Sequence, residues 1–275
     1  MNGNIQPPKM VRSRWIVSTM FGLDMIGGLV QTNLIISFSL IMILIIVSRV
    51  RHILNEAGTW AAAGLGLGVA IAGHWSWLLI LLSFLTAGFA ATKWRYTEKR
   101  DKGLNEGHEG ERDWTNVIAN GGVPLLVSII AFITEDWQTL LPVFAAAVAV
   151  AASDTFASEF GCLDQRVWMI TTMKKCEPGL NGGFSPSGQL AAFVGAGLIA
   201  LISATLGVVV EADAIQQPAH FILGITAIGF LGCQVDSFLG ATLENRGYIG
   251  KGTVNALAIC TGAILAWYVL PNISF

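Results

Sequence analysis

Long apolar stretches alternate with short polar segments along the whole chain. About 20 apolar residues are needed for a helix to cross a hydrocarbon core about 30 Å thick. The alternation predicts an all-α, polytopic integral membrane helical bundle with about nine transmembrane helices. The predicted spans are residues 15–31, 34–48, 57–73, 75–92, 114–133, 139–159, 187–210, 219–243 and 252–270.

The distribution of charge predicts how these helices cross the membrane. Lys and Arg are retained preferentially on the cytoplasmic side, and all 16 basic residues fall in alternate loops, beginning with the segment before the first span. The opposite loops carry the acidic pairs Glu135–Asp136 and Glu211–Asp213. We therefore predict that the N-terminus is inside and the C-terminus outside. An eight-span alternative, with residues 15–31 lying in the interface, places three basic residues outside.

Composition narrows the class of protein further. Hydrophobic residues make up 53% of the 275 residues and charged residues 12%, against about 25% charged in soluble domains; mean hydropathy is +0.63. A net charge of −2 without a basic stripe argues against nucleic acid as a partner. The four cysteines form no CxxC pair, so neither a disulfide framework nor a zinc site is indicated.

The pattern predicts a single integral membrane domain over residues 1–275, surrounded by the lipid bilayer. Two longer cytoplasmic loops are expected, at 93–113 and 160–186. The first mixes basic and acidic residues in near balance, which is typical of a solvated, mobile connector. The N-terminus has no transit-like character, so we expect a prokaryotic cytoplasmic membrane.

Two carboxylates fall inside predicted spans, Asp154 and Asp236. A charged carboxylate at the centre of a span costs about 2.5 to 3.5 kcal/mol on insertion scales, so such residues are often functional. A rise of about 1.5 Å per residue places both at a shallow depth near the cytoplasmic helix ends, together with Asn120 and Asn255. Paired carboxylates with nearby amide oxygens are ligands that Mg²⁺ takes when phosphates and water complete its shell. For any single polar residue the alternative is an interhelical hydrogen bond. Asp24, in the first span, has no assigned role.

The loop at 160–186 has the features of a phosphate-binding segment. It contains the adjacent Lys174 and Lys175, and a helix is predicted to start near Ser187. Glycines let backbone N–H groups approach an anion closely, and a helix N-terminus favours negative charge. The spacing is not that of a Walker loop, and a flexible loop with a serine cap is the alternative. The glycines are Gly179, Gly182, Gly183 and Gly188.

Five short motifs occur in order and together resemble domain-of-unknown-function family 92 over about residues 34–270. This family contains plant and cyanobacterial phytyl-phosphate kinases and animal transmembrane protein 19. The chain departs from the family at Phe156, where members often have Trp, and at Gly252 or Thr253, where an acidic residue is common. The motifs are ANGG at 119–122, ASDTFASEFG at 152–161, NGGFSPSG at 181–188, DSFLGATLE at 236–244 and VN at 254–255.

The resemblance implies a Mg²⁺-dependent phosphotransferase, a membrane kinase. It would transfer the γ-phosphoryl group of a nucleoside triphosphate, CTP or ATP, to a phytyl- or geranylgeranyl-type isoprenoid monophosphate. Such a transfer depends on positioning and charge neutralisation, and the acceptor, with a second pKa of about 6, is largely ionised without a general base. The implied catalytic residues are Asp154, Asp236, Glu159 and Lys174, and the implied metal ligands are Asp154, Asp236 and Asn120. The implied substrate-binding residues are Asn120, Lys175, Asn181, Gly182, Gly183, Ser185, Ser187, Lys251 and Asn255.

Other functions are compatible with the same polar layer. A transporter or flippase for an anionic lipid or small metabolite also uses membrane carboxylates, although its site usually lies near the midplane between inverted repeats. A prenyl alcohol kinase would use a carboxylate as base, and a non-catalytic scaffold would use the polar groups only for packing. Metal-dependent nucleotide binding distinguishes the kinases from the others.

Overall fold

The computed structural model describes residues 27–105, 110–210 and 215–272. The predicted first span, 15–31, lies almost entirely outside the described residues. Asp24, Glu211 and Asp213 also lie outside them. The remaining eight predicted spans fall within the described part of the chain.

Those eight spans are eight long helices, each bounded within a few residues of its predicted limits. Seven are long and apolar enough to cross a membrane, and the eighth, Glu56–Ala72, is shorter. The prediction of an all-α membrane bundle is therefore confirmed for the described residues. The helices are α1 Gln31–Arg51, α2 Glu56–Ala72, α3 Trp75–Lys93, the short α4 Tyr96–Asp101, α5 Trp114–Thr134, α6 Trp137–Gly161, α7 Pro186–Val210, α8 Pro218–Leu239 and α9 Lys251–Val269. Two short antiparallel strands, β1 Trp168–Met169 and β2 Gly183–Phe184, lie between α6 and α7.

Helix α6 forms the centre of the bundle. Its residues 144–152 are alanine, valine and one phenylalanine, and all are buried. Glycines on neighbouring helices allow the close approach that small residues permit in membrane bundles. A Cβ added to Gly232 of α8 or to Gly262 of α9 would lie 2.3 or 2.4 Å from Val150. This packing fixes α8, which carries Asp236, close to α6, which carries Asp154.

The loops that carry the basic residues meet at one end of the bundle, here called the basic end (residues 52–55, 94–105, 110–113, 162–185 and 245–250). The Asn55 N–H donates to the Arg112 carbonyl, and Asn245 Nδ2 donates to the Asn181 carbonyl at 2.9 Å. At the opposite end the Asn33 amide bonds to the backbone before α3. The basic end is the one that the charge rule assigns to the cytoplasm.

The loop after α3 differs from the expected solvated connector. Residues 96–101 form α4, and its Lys99 is 0% exposed. The Lys99 Nζ lies 2.5 Å from Glu159 Oε2 and donates to the Ala91 carbonyl at 3.1 Å. Thr92 Oγ1 donates to the other Glu159 oxygen. The pair therefore anchors α4 to the end of α6, because moving α4 away would leave the buried charge of Glu159 without its partner, which is unfavourable.

Candidate functional site

A cavity of about 310 Å³ opens at the basic end between α6, the 162–185 loop and the end of α8. We call it the carboxylate cavity. Its walls bring together acidic and basic groups that are far apart in the sequence. These are Asp154, Asp236, Glu244 and Lys251, with the backbone of residues 179–185 on the facing side.

The two aspartates predicted from depth alone lie in contact within this cavity. The Asp154 and Asp236 side chains are within hydrogen-bonding reach of each other. The charged groups of Lys251 and Glu244 are close enough to interact electrostatically with the Asp236 carboxyl group. The Oδ2 atom of Asp236 is buried and has no hydrogen-bond partner among the described residues. Two carboxyl groups in contact repel each other unless a proton or a cation lies between them. A buried acceptor without a partner is also unfavourable unless a ligand satisfies it.

The donor set fits an incomplete metal site rather than a closed one. No cluster of three or more His, Cys, Asp or Glu able to hold a metal occurs in the described part of the chain. Mg²⁺ is commonly held by one or two carboxylates, with substrate phosphates and water as the other ligands. The Asp154–Asp236 pair matches that kind of site, and the Asp236 Oδ2 atom supplies a free ligand position.

Asp236 lies at the end of α8, where the helix widens. Residues Gly240–Glu244 form a single π-helical turn, with the Asn245 N–H donating to the Gly240 carbonyl. Such single π-helical turns inside helices are frequent at functional sites. The last residue of the turn, Glu244, lines the same cavity as Asp236.

The glycine-rich loop docks onto this helix end by close backbone approach. Gly182 has φ +80°, and a Cβ added there would lie 2.6 Å from the Ser237 carbonyl oxygen and 2.9 Å from the Ala241 nitrogen. The hydrogen bond from Asn245 to Asn181 holds the neighbouring residue. The glycine at 182 is therefore required by packing against α8 as well as by the turn.

Gly182→Ala is expected to destabilise the protein more than Gly247→Ala. Both positions have a positive φ, which costs a non-glycine residue about 1 to 2 kcal/mol. Only at Gly182 does the new Cβ meet backbone atoms, since nothing lies within 4 Å of a Cβ at Gly247, and overpacking adds about 1 to 3 kcal/mol. Thermal unfolding of both variants in detergent micelles measures the difference. Equal shifts of Tm would show that the loop does not need this close approach.

The N-terminus of α7, predicted to face phosphate, is already engaged by the protein. Ser185 Oγ accepts from the Gly188 N–H at 3.1 Å and so caps the helix. Asp164 Oδ2 accepts from Ser187 Oγ at 2.9 Å. Hydrogen bonds from the Arg166 side chain, and then from its backbone N–H, hold the pKa of Asp164 well below its usual range. An ionised carboxylate therefore lies where the sequence placed a substrate phosphate. Sequence reasoning passed over Asp164 because it lies 23 residues before Ser187, and no local pattern links it to the start of α7.

Several predicted site residues line the carboxylate cavity and others do not. Glu159 lines it, but its two oxygens accept from Thr92 and Lys99 and are turned to that buried ion pair. The predicted residues in the cavity wall are Asp154, Asp236, Glu159, Asn181, Gly182, Gly183, Ser185 and Lys251. Those outside the wall are Lys174, Lys175, Ser187, Asn120 and Asn255.

The residues outside the wall lie in four places. Ser187 lies in the first turn of α7, bonded to Asp164. Lys174 and Lys175 are exposed on the loop between β1 and β2. Asn120 lines a neighbouring apolar cleft and donates to the Asn116 carbonyl at 2.9 Å, so the structure does not bring it to the aspartates. Asn255 lines a second, polar cavity that shares Lys251 with the first.

Comparison with known proteins identifies related chains. The family model described as "Integral membrane protein DUF92" matches residues 39–263. An uncharacterized membrane protein of Methanocaldococcus jannaschii is 30% identical over 85% of this chain and 92% of its own length. One of Synechocystis is 28% identical over 78% of this chain and 82% of its own. Protein VTE6, chloroplastic, of Arabidopsis thaliana is 28% identical over 68% of this chain and 56% of its own. No solved structure matches the chain significantly.

Proposed function

The chain belongs to the DUF92 family of integral membrane proteins, and from that premise we propose that it is a Mg²⁺-dependent membrane kinase. The proposed reaction transfers the γ-phosphoryl group of CTP or ATP to an isoprenoid monophosphate of the phytyl or geranylgeranyl type. The motif resemblance to phytyl-phosphate kinases supports the reaction class. The observation that carries the proposal is the contact between Asp154 and Asp236, with a buried Asp236 oxygen that lacks a partner.

In this proposal Asp154 and Asp236 hold Mg²⁺ through carboxylate oxygens. The cation, when bound, neutralises charge on the phosphoryl oxygens of the donor. Lys251 lies close to Asp236, where its ammonium binds a phosphate oxygen from the same side. Residues 181–183 line the cavity, where the backbone N–H groups of Asn181 and Gly182 orient the donor, because that of Gly183 donates to the Leu180 carbonyl. No side chain has to remove a proton, because the acceptor is already ionised.

The remaining predicted residues take supporting roles. Glu159 acts as a positioning residue, since its ion pair with Lys99 fixes the end of α6 relative to α4. Ser185 and Ser187 shape the start of α7. Lys174 and Lys175, exposed on the same loop, attract the anionic nucleotide toward the cavity.

The depth of the site suits a kinase better than a transporter. Asp154 lies seven residues before the end of α6 at Gly161, which is about 10 Å along the helix axis. Asp236 lies even closer to the end of α8. A shallow cavity at the basic end is accessible to a soluble nucleotide while a hydrocarbon tail stays among the helices. Transporter sites usually lie near the midplane.

The test is phosphoryl transfer by purified protein in nanodiscs. Labelled [γ-³²P]CTP or [γ-³²P]ATP is supplied with Mg²⁺ and with phytyl or geranylgeranyl monophosphate, alongside the corresponding alcohols. The proposal expects labelled diphosphate from a monophosphate, and no product after EDTA treatment. Labelled monophosphate from the alcohols would instead identify an alcohol kinase. Absence of transfer with every combination, from monodisperse protein, would contradict the proposal.

A further inference from the structure

A second cavity, of about 670 Å³, lies beside the carboxylate cavity at the basic end. We call it the polar cavity. It shares Lys251 with the carboxylate cavity, and it shares Arg112 and Asn116 with the apolar cleft that contains Asn120. The three spaces therefore adjoin in the order carboxylate cavity, polar cavity and apolar cleft.

The apolar cleft lies between α1, α2, α3 and α5 and is walled by leucines and one phenylalanine. It extends along α3 from Phe84 to Leu78, six residues or about 9 Å, away from the basic end. Gly66 on α2 leaves room on one wall. The volume of the cleft is about 60 Å³, so its walls suit one section of a branched hydrocarbon, whose transfer from water is favourable in proportion to the apolar area buried.

Arg112 stands at the boundary between the cleft and the polar cavity. Its guanidinium is half-buried over the Phe84 ring, 5.9 Å from the ring centroid, and no carboxylate pairs with it among the described residues. The two acids of the polar cavity are engaged elsewhere: Asp113 Oδ1 accepts from the Asn116 N–H, and Glu111 pairs with His52. A guanidinium that pairs with no carboxylate in the described part of the chain, at the mouth of an apolar cleft, is suited to binding an anionic head group.

A second, independent observation concerns Asn255. Asn255 is 7% exposed and lines the polar cavity. Its Oδ1 atom has no hydrogen-bond partner among the described residues. The oxygen and nitrogen of an amide exchange positions by a rotation of 180°, so either can face a ligand. Helix α9 also begins at this cavity without a side-chain cap on Gly250, so the cavity wall at Gly252 lies at the positive end of the helix dipole.

We propose that the polar cavity and the apolar cleft together bind the acceptor, an amphiphile with a phosphomonoester head and a branched hydrocarbon tail. The phosphate lies among Arg112, Asn116 and Asn255, and the tail follows the cleft along α3. This assignment rests on the proposed function for its substrate class. Lys251, in the wall of both cavities, then lies between acceptor and donor phosphates. An acceptor oxygen forms a bond to the γ-phosphorus while the bond to the β,γ-bridging oxygen breaks, and the nucleoside diphosphate leaves with that electron pair.

The binding test uses geranylgeranyl monophosphate with a diazirine in the tail, photolysed with the full protein in nanodiscs without nucleotide. We expect label on peptides of α2, α3 and α5, removed by unlabelled geranylgeranyl monophosphate but not by inorganic phosphate or phosphatidic acid. Label confined to α7 and α8, absence of specific label, or equal displacement by phosphatidic acid would overturn the assignment. Because the measurement needs no turnover, cleft labelling with no transfer would reject the kinase proposal and leave the binding site standing.

A kinetic test separates recognition of the head from recognition of the tail. Arg112→Gln is expected to raise KM for the monophosphate by about 10- to 100-fold, the loss of a charge-assisted hydrogen bond, with KM for the nucleotide unchanged. Arg100→Gln, an exposed arginine that lines none of the three spaces, is the matched control. An unchanged acceptor KM in folded Arg112→Gln protein would overturn the head-group assignment.

The tail assignment has its own pair of variants on one helix. Gly66→Val places a side chain against Leu78, which lines the cleft, and against Ile41 behind it, whereas Gly64→Val projects into open space. We expect Gly66→Val to reduce kcat/KM for a 20-carbon acceptor more than for a 10-carbon one, and Gly64→Val to leave that ratio unchanged. The same ratio in both variants would place the tail elsewhere.

Discussion

Asp154→Asn and Asp236→Asn are each expected to lower the rate of phosphoryl transfer by at least about 10²-fold, the scale set by removing one preorganised charge-stabilising group. The substitution keeps the size of the side chain but removes the negative charge that is proposed to hold the cation. Because the proposal places both residues on one ion, the double variant should lose little more than either single variant. Initial rates at saturating acceptor, measured over a range of Mg²⁺ concentrations, give the comparison.

Higher Mg²⁺ should partly restore the single variants, because weakened binding of a metal is offset by mass action. Asp101→Asn is the matched control, since Asp101 is exposed on α4 and its ion pair within the described residues is with the exposed Arg100. Rates within twofold of the wild type in both Asp154 and Asp236 variants would remove the catalytic assignment of the pair.

The largest expected effect on stability comes from Lys99→Met. The variant leaves the Glu159 carboxylate buried without its ion-pair partner, and breaking a buried pair in this way costs about 3 to 5 kcal/mol. Lys102→Met, on the same short helix, removes an exposed pair with Glu98 and should cost far less, because solvent and salt screen an exposed pair. Chemical unfolding of both variants in detergent micelles measures the two free energies of unfolding.

A double substitution distinguishes the cost of an unpaired buried charge from the cost of lost packing. Replacing both partners, as Lys99→Met with Glu159→Leu, should recover much of the stability lost in Lys99→Met, because no unpaired buried charge remains. Similar losses in Lys99→Met and Lys102→Met would mean that the buried pair is not what anchors α4.

The helices could be predicted from the sequence because a membrane leaves the backbone few alternatives. Every N–H and C=O group in hydrocarbon must be satisfied within the segment, so length and apolarity alone locate a helix. Position along a helix then gives depth at a fixed rise per residue. Depth was enough to place Asp154 and Asp236 in one layer, and in the structure their side chains are in contact.

The rotation of each helix could not be predicted in the same way. In a membrane bundle the lipid-facing and buried sides are similarly apolar, so the pattern does not show which face points inward. Asn120 has the expected depth but faces the apolar cleft. Arg112 and Asn255 are far apart in the sequence, and no pattern predicts that they line one cavity, because the helices bring them together only when they pack.

Loop residues depend still more on tertiary structure. Lys99 is one of several bases in a charged segment, and nothing in its neighbours distinguishes it from exposed Lys102. Lys174 and Lys175 are the opposite case. Their place in the glycine-rich loop predicted a role in phosphate binding, but both side chains are exposed and lie outside the cavity wall. Their burial or exposure follows from the packing of α4, β1 and β2, which no local pattern specifies.

Binding of Mn²⁺, followed by electron paramagnetic resonance of the free ion, tests the central claim most directly, because it requires neither nucleotide nor turnover. The account predicts a Mn²⁺ site in the wild-type protein that Mg²⁺ displaces and that is absent in the Asp154→Asn/Asp236→Asn double variant but retained in Asp101→Asn. Equal Mn²⁺ binding by the wild type and a folded double variant would contradict it.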